Sequence, residues 1–365
     1  MREAWAPGPA RSWLFIAGLV MARELWLLWS GLDKNHPDDD ETLLPTLGYG
    51  NLLTLARGIA IALLAGFLFS PRPPGWLAWL PAIAYFAIAV FDHLDGYVAR
   101  VTGHTTKLGE ILDMEFDVLG IFFAVALAIS YGQLPPWYLV IGLAREIFLL
   151  GIWLRKRFDK PVYDLPPSMD RRLIAGLQMS FLSVVLWPIF TPPATTIAAV
   201  LFAMPMVISF GRDWMVVSGA WRTDSPGYQR RRRTAKLILE RWLPLLCRAV
   251  GTVVAVTILA REMPGFSTWS AALPVSTFWF FLLAAPALVS TLFFALGFMG
   301  RIAAVGLIAL ACADILLAGF DLPSNGLLLI CTIIVLQMGS GSYALWQPEE
   351  RLLRHRAGET AEEPE

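Results

Sequence analysis

Long apolar runs separated by short polar or basic stretches make up most of this chain. Ten of them, at residues 51–70, 76–99, 109–131, 135–154, 173–190, 194–220, 243–260, 276–298, 302–320 and 326–345, come close to the roughly 20 residues that a helix needs to cross the hydrocarbon of a bilayer. A further run, residues 12–30, is interrupted only by Arg23–Glu24. Its length suits a span, and its tryptophans suit a helix lying at headgroup level. The pattern predicts an all-α polytopic membrane protein. Residues 1–50 hold an N-terminal helix and an acidic loop. Six helices over 51–220, a basic linker over 221–242, four more helices over 243–346 and a disordered tail over 347–365 follow.

Composition sharpens this picture. The 365 residues are 56% hydrophobic, which excludes an ordinary soluble domain, and the zero net charge provides no field for nucleic acid. The positive charge is instead segregated into alternate loops. Segments 100–108, 155–172 and 221–242 are basic, the last carrying Arg230–Arg231–Arg232–Arg233. Loops 132–136 and 191–193 carry no charge, and 71–75 carries Arg72 alone. Excess Lys and Arg mark cytoplasmic loops. The basic ends therefore face the cytoplasm, the protein belongs in the cytoplasmic (inner) membrane, and residues 12–30 read best as an interfacial helix on the same side. No small-residue cleavage site follows the first apolar run, so the first membrane helix is expected to direct insertion. Cys247, Cys312 and Cys331 have no metal-like spacing and read as buried structural thiols. The acidic run Asp38–Asp39–Asp40–Glu41 reads as a solvated turn.

One stretch departs from this apolar background. Residues 91–120, FDHLDGYVARVTGHTTKLGEILDMEFDVLG, carry Asp92, Asp95, Asp113 and Asp117 in two pairs, three and four residues apart. On a helix, those spacings put both members of a pair on one face. A turn near Gly103 folds the two pairs together. Four converging carboxylates repel one another unless cations sit between them, and all-oxygen ligands favour hard ions such as Mg²⁺ or Mn²⁺. Two such ions can clamp a diphosphate. Intramembrane acids also serve helix packing and proton relay, but charge at membrane depth is expensive and usually functional.

Read literally, the stretch is D-x2-D-G-x2-A-R-x8-G-x3-D-x3-D, filled by Asp92, Asp95, Gly96, Ala99, Arg100, Gly109, Asp113 and Asp117. This resembles the signature of the CDP-alcohol phosphatidyltransferases, and the likeness covers residues 51–220. The resemblance implies a six-helix bundle around a polar cavity open to the cytoplasm. It implies transfer of a phosphatidyl group from CDP-diacylglycerol, a membrane lipid, to a small polar alcohol, with release of CMP and with two Mg²⁺ or Mn²⁺ ions. Asp92, Asp95 and Asp113 would be the main metal ligands. Asp117 would lie near the metals and act as general base. Arg100 would contact the diphosphate, its alternative role being a cytoplasmic anchor. Gly96, Ala99 and Gly109 would allow close approach of cytidine or of a partner helix. Asn51, Thr54 and Arg57, three apart, resemble the polar face that lines the nucleotide site in this family; the alternative is a helix start with a snorkelling arginine. His93 and His104 lie outside the motif.

The acceptor is read from a second resemblance. Arg145–Glu146 in AREIFLLGIWLRK looks like a stretch in phosphatidylglycerophosphate synthases, and Arg172 and Gln178 fall six apart as two polar positions of that subfamily do. Ile174 and Ala175 replace the usual lysine–threonine pair, and LDMEFD departs from LDPxxD. Glycerol 3-phosphate is the leading acceptor, with Arg145, Arg155, Arg172 and Arg212 as its binding residues; inositol phosphate is the nearest alternative. Topology explains the same arginines. In the C-terminal helices the main ionisable residues are Arg248, Arg261–Glu262 and Asp314, the last open to a functional or a packing role. The ending GSGSYALW faintly resembles the small quinone-linked membrane family typified by the thiosulfate:quinone oxidoreductase subunit. A structural or dimer-forming appendage fits as well, and a homodimer is expected. Rival readings are an intramembrane prenyltransferase, which does not need Gly96, Ala99, Arg100 and Gly109 at these spacings, and a scaffold or cation transporter, which has little use for Arg100 beside the carboxylates.

Overall fold

A chain without water around its backbone must satisfy every peptide group internally, and a helix does so within one segment. The computed structural model of this chain is accordingly all-α. It describes residues 7–37, 42–165, 169–221, 227, 230, 233–234, 237–262 and 277–349. The acidic run 38–41, much of the basic linker and the tail from residue 350 lie outside the described residues.

The helices are α1 (Pro7–Ser30), α2 (Gly48–Ala65), α3 (Leu80–Val101), α4 (Lys107–Ser130), α5 (Tyr138–Gly142), α6 (Ala144–Arg157), α7 (Met169–Val185), α8 (Ala194–Val217), α9 (Leu243–Glu262), α10 (Thr277–Leu296), α11 (Gly300–Ala318) and α12 (Leu327–Met338). All ten expected hydrophobic helices are present, with shifted ends. The segment expected at 76–99 opens with a 3-10 turn, Gly75–Trp79. The one expected at 135–154 is interrupted at Leu143, just after Gly142, whose missing side chain lets Val125 of α4 close in; a Cβ there would lie 3.1 Å from Val125 Cγ2. Arg145–Glu146 therefore sits in the first turn of α6. The last helix stops at Met338 because Gly339 (φ 87°) and Gly341 (φ 71°) turn the chain in a conformation that L side chains rarely adopt.

Six described helices are long and apolar enough to cross a membrane: Gly8–Ser30, Gly48–Ala65, Gly75–Val101, Ala194–Val217, Leu237–Arg261 and Gly300–Ala318. By this measure α1 also has the length and composition of a span. Helix α4 matches these in length but carries Lys107, Glu110, Asp113, Glu115 and Asp117 in its first half. The protein is an all-α polytopic membrane protein.

The helices gather into two compact units. One runs to Gly151 and includes Ala175–Thr196; the other takes Ile152–Ile174 and continues from Ile197. In the first, α2 packs along α3 and also against α1 and α4. Small residues make this approach close. A Cβ on Gly50 would meet Ala99 Cβ at 2.8 Å, and one on Gly58 would meet Phe116 at 2.7 Å. Ile61, Leu64, Tyr85, Ile88, Leu112 and Phe116 fill the space between these helices and are buried.

The second unit contains α9–α12, held by buried polar clamps. The Arg248 guanidinium donates to the carbonyls of Phe294, Ala295, Ser340 and Ser342 at 2.8–3.2 Å. Asp314 is buried and fully engaged: Oδ1 accepts from Arg261 at 2.5 Å and Oδ2 from Asn325 at 2.8 Å. Of the two roles open to Asp314, packing is the one its partners serve. All three cysteines are free thiols, with Cys247 and Cys331 buried.

Candidate active site

The site is built where α3 ends, the chain reverses at Gly103 (φ 62°), and α4 begins. Thr106 caps α4, its Oγ1 accepting from the Gly109 N–H at 3.1 Å. Asn51 of α2 donates to the same Thr106 oxygen at 3.1 Å, so α2 is tied to the start of α4. Gly109 is what permits this: a Cβ at that position would stand 2.5 Å from Asn51 Oδ1. One turn along α2, Thr54 donates to Asp95 Oδ2 at 3.0 Å. Asn51, Thr54 and Arg57 thus do share one face, and that face is turned inward on the two motif helices.

Arg57 ends that row among the four aspartates. Its Nη1 donates to Asp92 and, at 3.2 Å, to Asp117; its Nη2 donates to Asp113 Oδ1 at 2.7 Å and to the Asp113 carbonyl at 3.2 Å. Asp95 Oδ2 lies 3.8 Å from Nη1. The Arg57 side chain is 1% exposed, whereas those of Asp113 and Asp117 are 48% and 41% exposed. The aspartate cluster is therefore closed on the α2 side and open along α4.

One guanidinium among four carboxylates leaves net negative charge. Carboxylate oxygens of Asp92, Asp113 and Asp117 all lie within 4.8 Å of one another. Two ionised carboxylates at that distance repel by about 3–4 kcal/mol at an effective dielectric constant of about 20. A divalent cation would relieve this repulsion, and convergent carboxylate oxygens suit a hard ion. Asp95 stands apart from this trio. Its Oδ2 is held by Thr54, and its Oδ1 accepts from the Gly96 N–H at 2.6 Å.

The remaining sequence candidates fall as follows. Ala99 is the residue against which Gly50 packs, and Gly109 admits Asn51, so these two small positions serve the approach of α2. Gly96 makes room for Arg100, whose Nη1 would stand 3.0 Å from a Cβ there. His93 Nδ1 lies 2.9 Å from the Ala89 carbonyl and 3.7 Å from Asp92, and His104 Nε2 lies 3.1 Å from the Thr46 carbonyl; neither enters the carboxylate trio. Arg145 pairs with Glu146 at 3.4 Å in the first unit. In the second unit, Arg155 donates to the carbonyls of Pro161 and Ser218, and its guanidinium lies 6.0 Å from the Trp214 ring centroid. Arg212 and Arg171 both pair with buried Asp213, at 2.9 and 3.4 Å. Arg172 lies on α7, but its side chain is outside the described residues.

Two residues of this neighbourhood escaped sequence reasoning. Thr106 was legible as an N-cap before an apolar run. Tyr85, seven residues before Asp92 and so on the same face of α3, is buried.

Comparison with known proteins bears on the same segment. Residues 48–221 match the model of the family described as CDP-alcohol phosphatidyltransferase. Among similar proteins is a CDP-diacylglycerol–glycerol-3-phosphate 3-phosphatidyltransferase of Cereibacter sphaeroides, 32% identical over 110 residues, 28% of this chain and 47% of that protein. A protein of the same name from Aquifex aeolicus is 33% identical over 115 residues, 30% of this chain and 62% of its own length. A cardiolipin synthase (CMP-forming) of Streptomyces coelicolor is 30% identical over 119 residues, 30% of this chain and 54% of its own. The chain thus spans about half the length of these relatives. No solved structure matches. Residues 48–221, which carry the aspartates of α3 and α4, are thus similar to the CDP-alcohol phosphatidyltransferase family.

Proposed function

We propose that this chain is a phospholipid-synthesising transferase that moves a phosphatidyl group from CDP-diacylglycerol to an alcohol, with glycerol 3-phosphate as acceptor and CMP as the second product. The observation that carries this reading is the convergence of Asp92, Asp113 and Asp117 from two helices inside the family-matched segment. A site at helix ends also suits an amphipathic donor, whose acyl chains stay in the bilayer while its cytidine diphosphate reaches water. The names of the Cereibacter and Aquifex relatives favour glycerol 3-phosphate.

Asp92, Asp113 and Asp117, with Asp95 beside them, would hold two divalent cations. When bound, these supply charge neutralisation and polarisation of the diphosphate. The chain's own residues then have separate tasks. Asp117, 41% exposed on the open side, takes the proton of the acceptor hydroxyl. The freed oxygen forms a bond to the phosphorus that bears the diacylglycerol, and the bond from that phosphorus to the CMP oxygen breaks. Arg100 offers its planar fork to the diphosphate. Asn51, Thr54, Ala99 and Gly109 hold α2 against the motif helices so that the carboxylates keep their separation. Arg145, Arg155, Arg172 and Arg212 are the candidates for the acceptor phosphate. The catalytic end faces the cytoplasm, in keeping with the basic loops, and the working form is a homodimer, which light scattering of the solubilised full chain tests.

The deciding experiment is release of radiolabelled CMP from CDP-diacylglycerol by the purified full chain with Mg²⁺ or Mn²⁺. Glycerol 3-phosphate, inositol phosphate, inositol and serine are offered one at a time. Release with glycerol 3-phosphate, abolished by EDTA and by Asp117→Asn in a variant that keeps the wild-type helical spectrum, is the expected result. Release only with inositol phosphate reassigns the acceptor. Full activity in Asp117→Asn removes Asp117 as the base, and no release with any acceptor favours the scaffold reading.

A further inference from the structure

We infer that Arg57 is a resident counter-cation of the aspartate cluster that occupies its ligand oxygens and is exchanged for divalent metal. The inference rests on the reading that the aspartates take such ions.

The geometry is specific. A guanidinium has two forked terminal nitrogens, and here they divide the cluster between them. Nη1 serves Asp92 and Asp117, while Nη2 serves Asp113. Those are the same three carboxylates whose oxygens lie within 4.8 Å of one another. Arg57 therefore makes a hydrogen bond to each carboxylate of the trio. It is buried to 1% exposure, and its Nε has no hydrogen-bond partner. Its position therefore follows from the terminal fork and not from engagement of the whole group. The arrangement also answers a physical need. Ionised carboxylates this close repel one another, and an arginine built into α2 supplies a cation before metal arrives.

A carboxylate oxygen that accepts from Arg57 does not at the same moment present the same lone pair to an incoming ion. Metal binding then includes breaking the Arg57 contacts, and apparent metal affinity is lowered by that competition. Each charge-assisted hydrogen bond is worth enough that losing one changes affinity about tenfold.

The test uses Mn²⁺ alone, titrated into the full-length protein in detergent micelles without lipid substrate, with free Mn²⁺ read by electron paramagnetic resonance. Two variants separate occupancy from plain charge. Arg57→Met removes both the charge and the fork, and Mn²⁺ should bind about tenfold or more tighter than to wild type. Arg57→Lys keeps the charge but offers a single ammonium in place of the fork. Occupancy of ligand oxygens predicts tighter Mn²⁺ binding here too, by at least about threefold. A purely long-range charge effect predicts no change in Arg57→Lys. If Arg57→Met does not fold, Arg57→Lys decides alone. Unchanged or weaker Mn²⁺ binding in Arg57→Lys overturns the exchange. If wild type itself binds no Mn²⁺, the metal reading of the aspartates fails, and this inference falls with it.

Discussion

Substituting Gly109 by alanine tests the packing that aligns the two carboxylate pairs. An added Cβ would stand 2.5 Å from Asn51 Oδ1 and 3.3 Å from Thr106 Oγ1. The first distance forces a shift. Asn51 is 6% exposed, so its amide has no water to turn to. Moving it breaks the 3.1 Å bond to Thr106, worth about 1 kcal/mol, and leaves a buried amide unsatisfied at a further cost of about 1–3 kcal/mol. Alanine's better helix propensity returns about 1 kcal/mol. The net expectation is a loss of about 1–3 kcal/mol. The assay is equilibrium unfolding of the full chain in mixed micelles, followed by loss of helical circular dichroism as the fraction of denaturing detergent rises. Asn51→Ala removes the obstacle, so Gly109→Ala in that background should be neutral or stabilising by up to about 1 kcal/mol. The coupling in the resulting double-mutant cycle should be about 2 kcal/mol. A Gly109→Ala protein as stable as wild type, or one whose loss is the same in both backgrounds, would refute the argument.

Arg100→Ala should raise the concentration of CDP-diacylglycerol needed for half-maximal CMP release, with little loss of helicity; an unchanged donor dependence would show Arg100 to be a topology anchor only. Arg248→Met leaves the carbonyls of Phe294, Ala295, Ser340 and Ser342 without their donor. A loss of about 1–3 kcal/mol is expected from buried carbonyls left unsatisfied, seen as faster proteolysis within 297–345 in micelles, and wild-type resistance there would contradict the clamp. Asp314→Asn keeps one acceptor oxygen in place of two, so it can hold Arg261 or Asn325 but not both; it should resist proteolysis less than wild type and more than Asp314→Leu, which holds neither, and wild-type resistance of Asp314→Leu would undo the packing role.

Hydropathy alone determined where the ten apolar segments turn helical, because a chain kept from water must satisfy its peptide groups within the segment. It did not show the break at Leu143, and α1, read as interfacial, has the length and composition of a span. The spacing of Asp92 with Asp95 and of Asp113 with Asp117 determined that each pair shares a helix face, and the row Asn51, Thr54, Arg57 was legible for the same reason. Helical periodicity says which residues share a face; it does not say what that face meets. Only the tertiary structure decided that the Asn51–Arg57 face turns onto the motif helices, that Arg57 bridges Asp92, Asp113 and Asp117, and that Asp95 is held by Thr54. The glycines divide in the same way. Their smallness was visible, but whether they admit a ligand or a helix depended on which atom stands opposite: Asn51 for Gly109, Arg100 for Gly96. Asp314 was ambiguous in sequence because its partners, Arg261 and Asn325, lie 53 and 11 residues away, and contacts between separate helices leave no periodic trace along the chain.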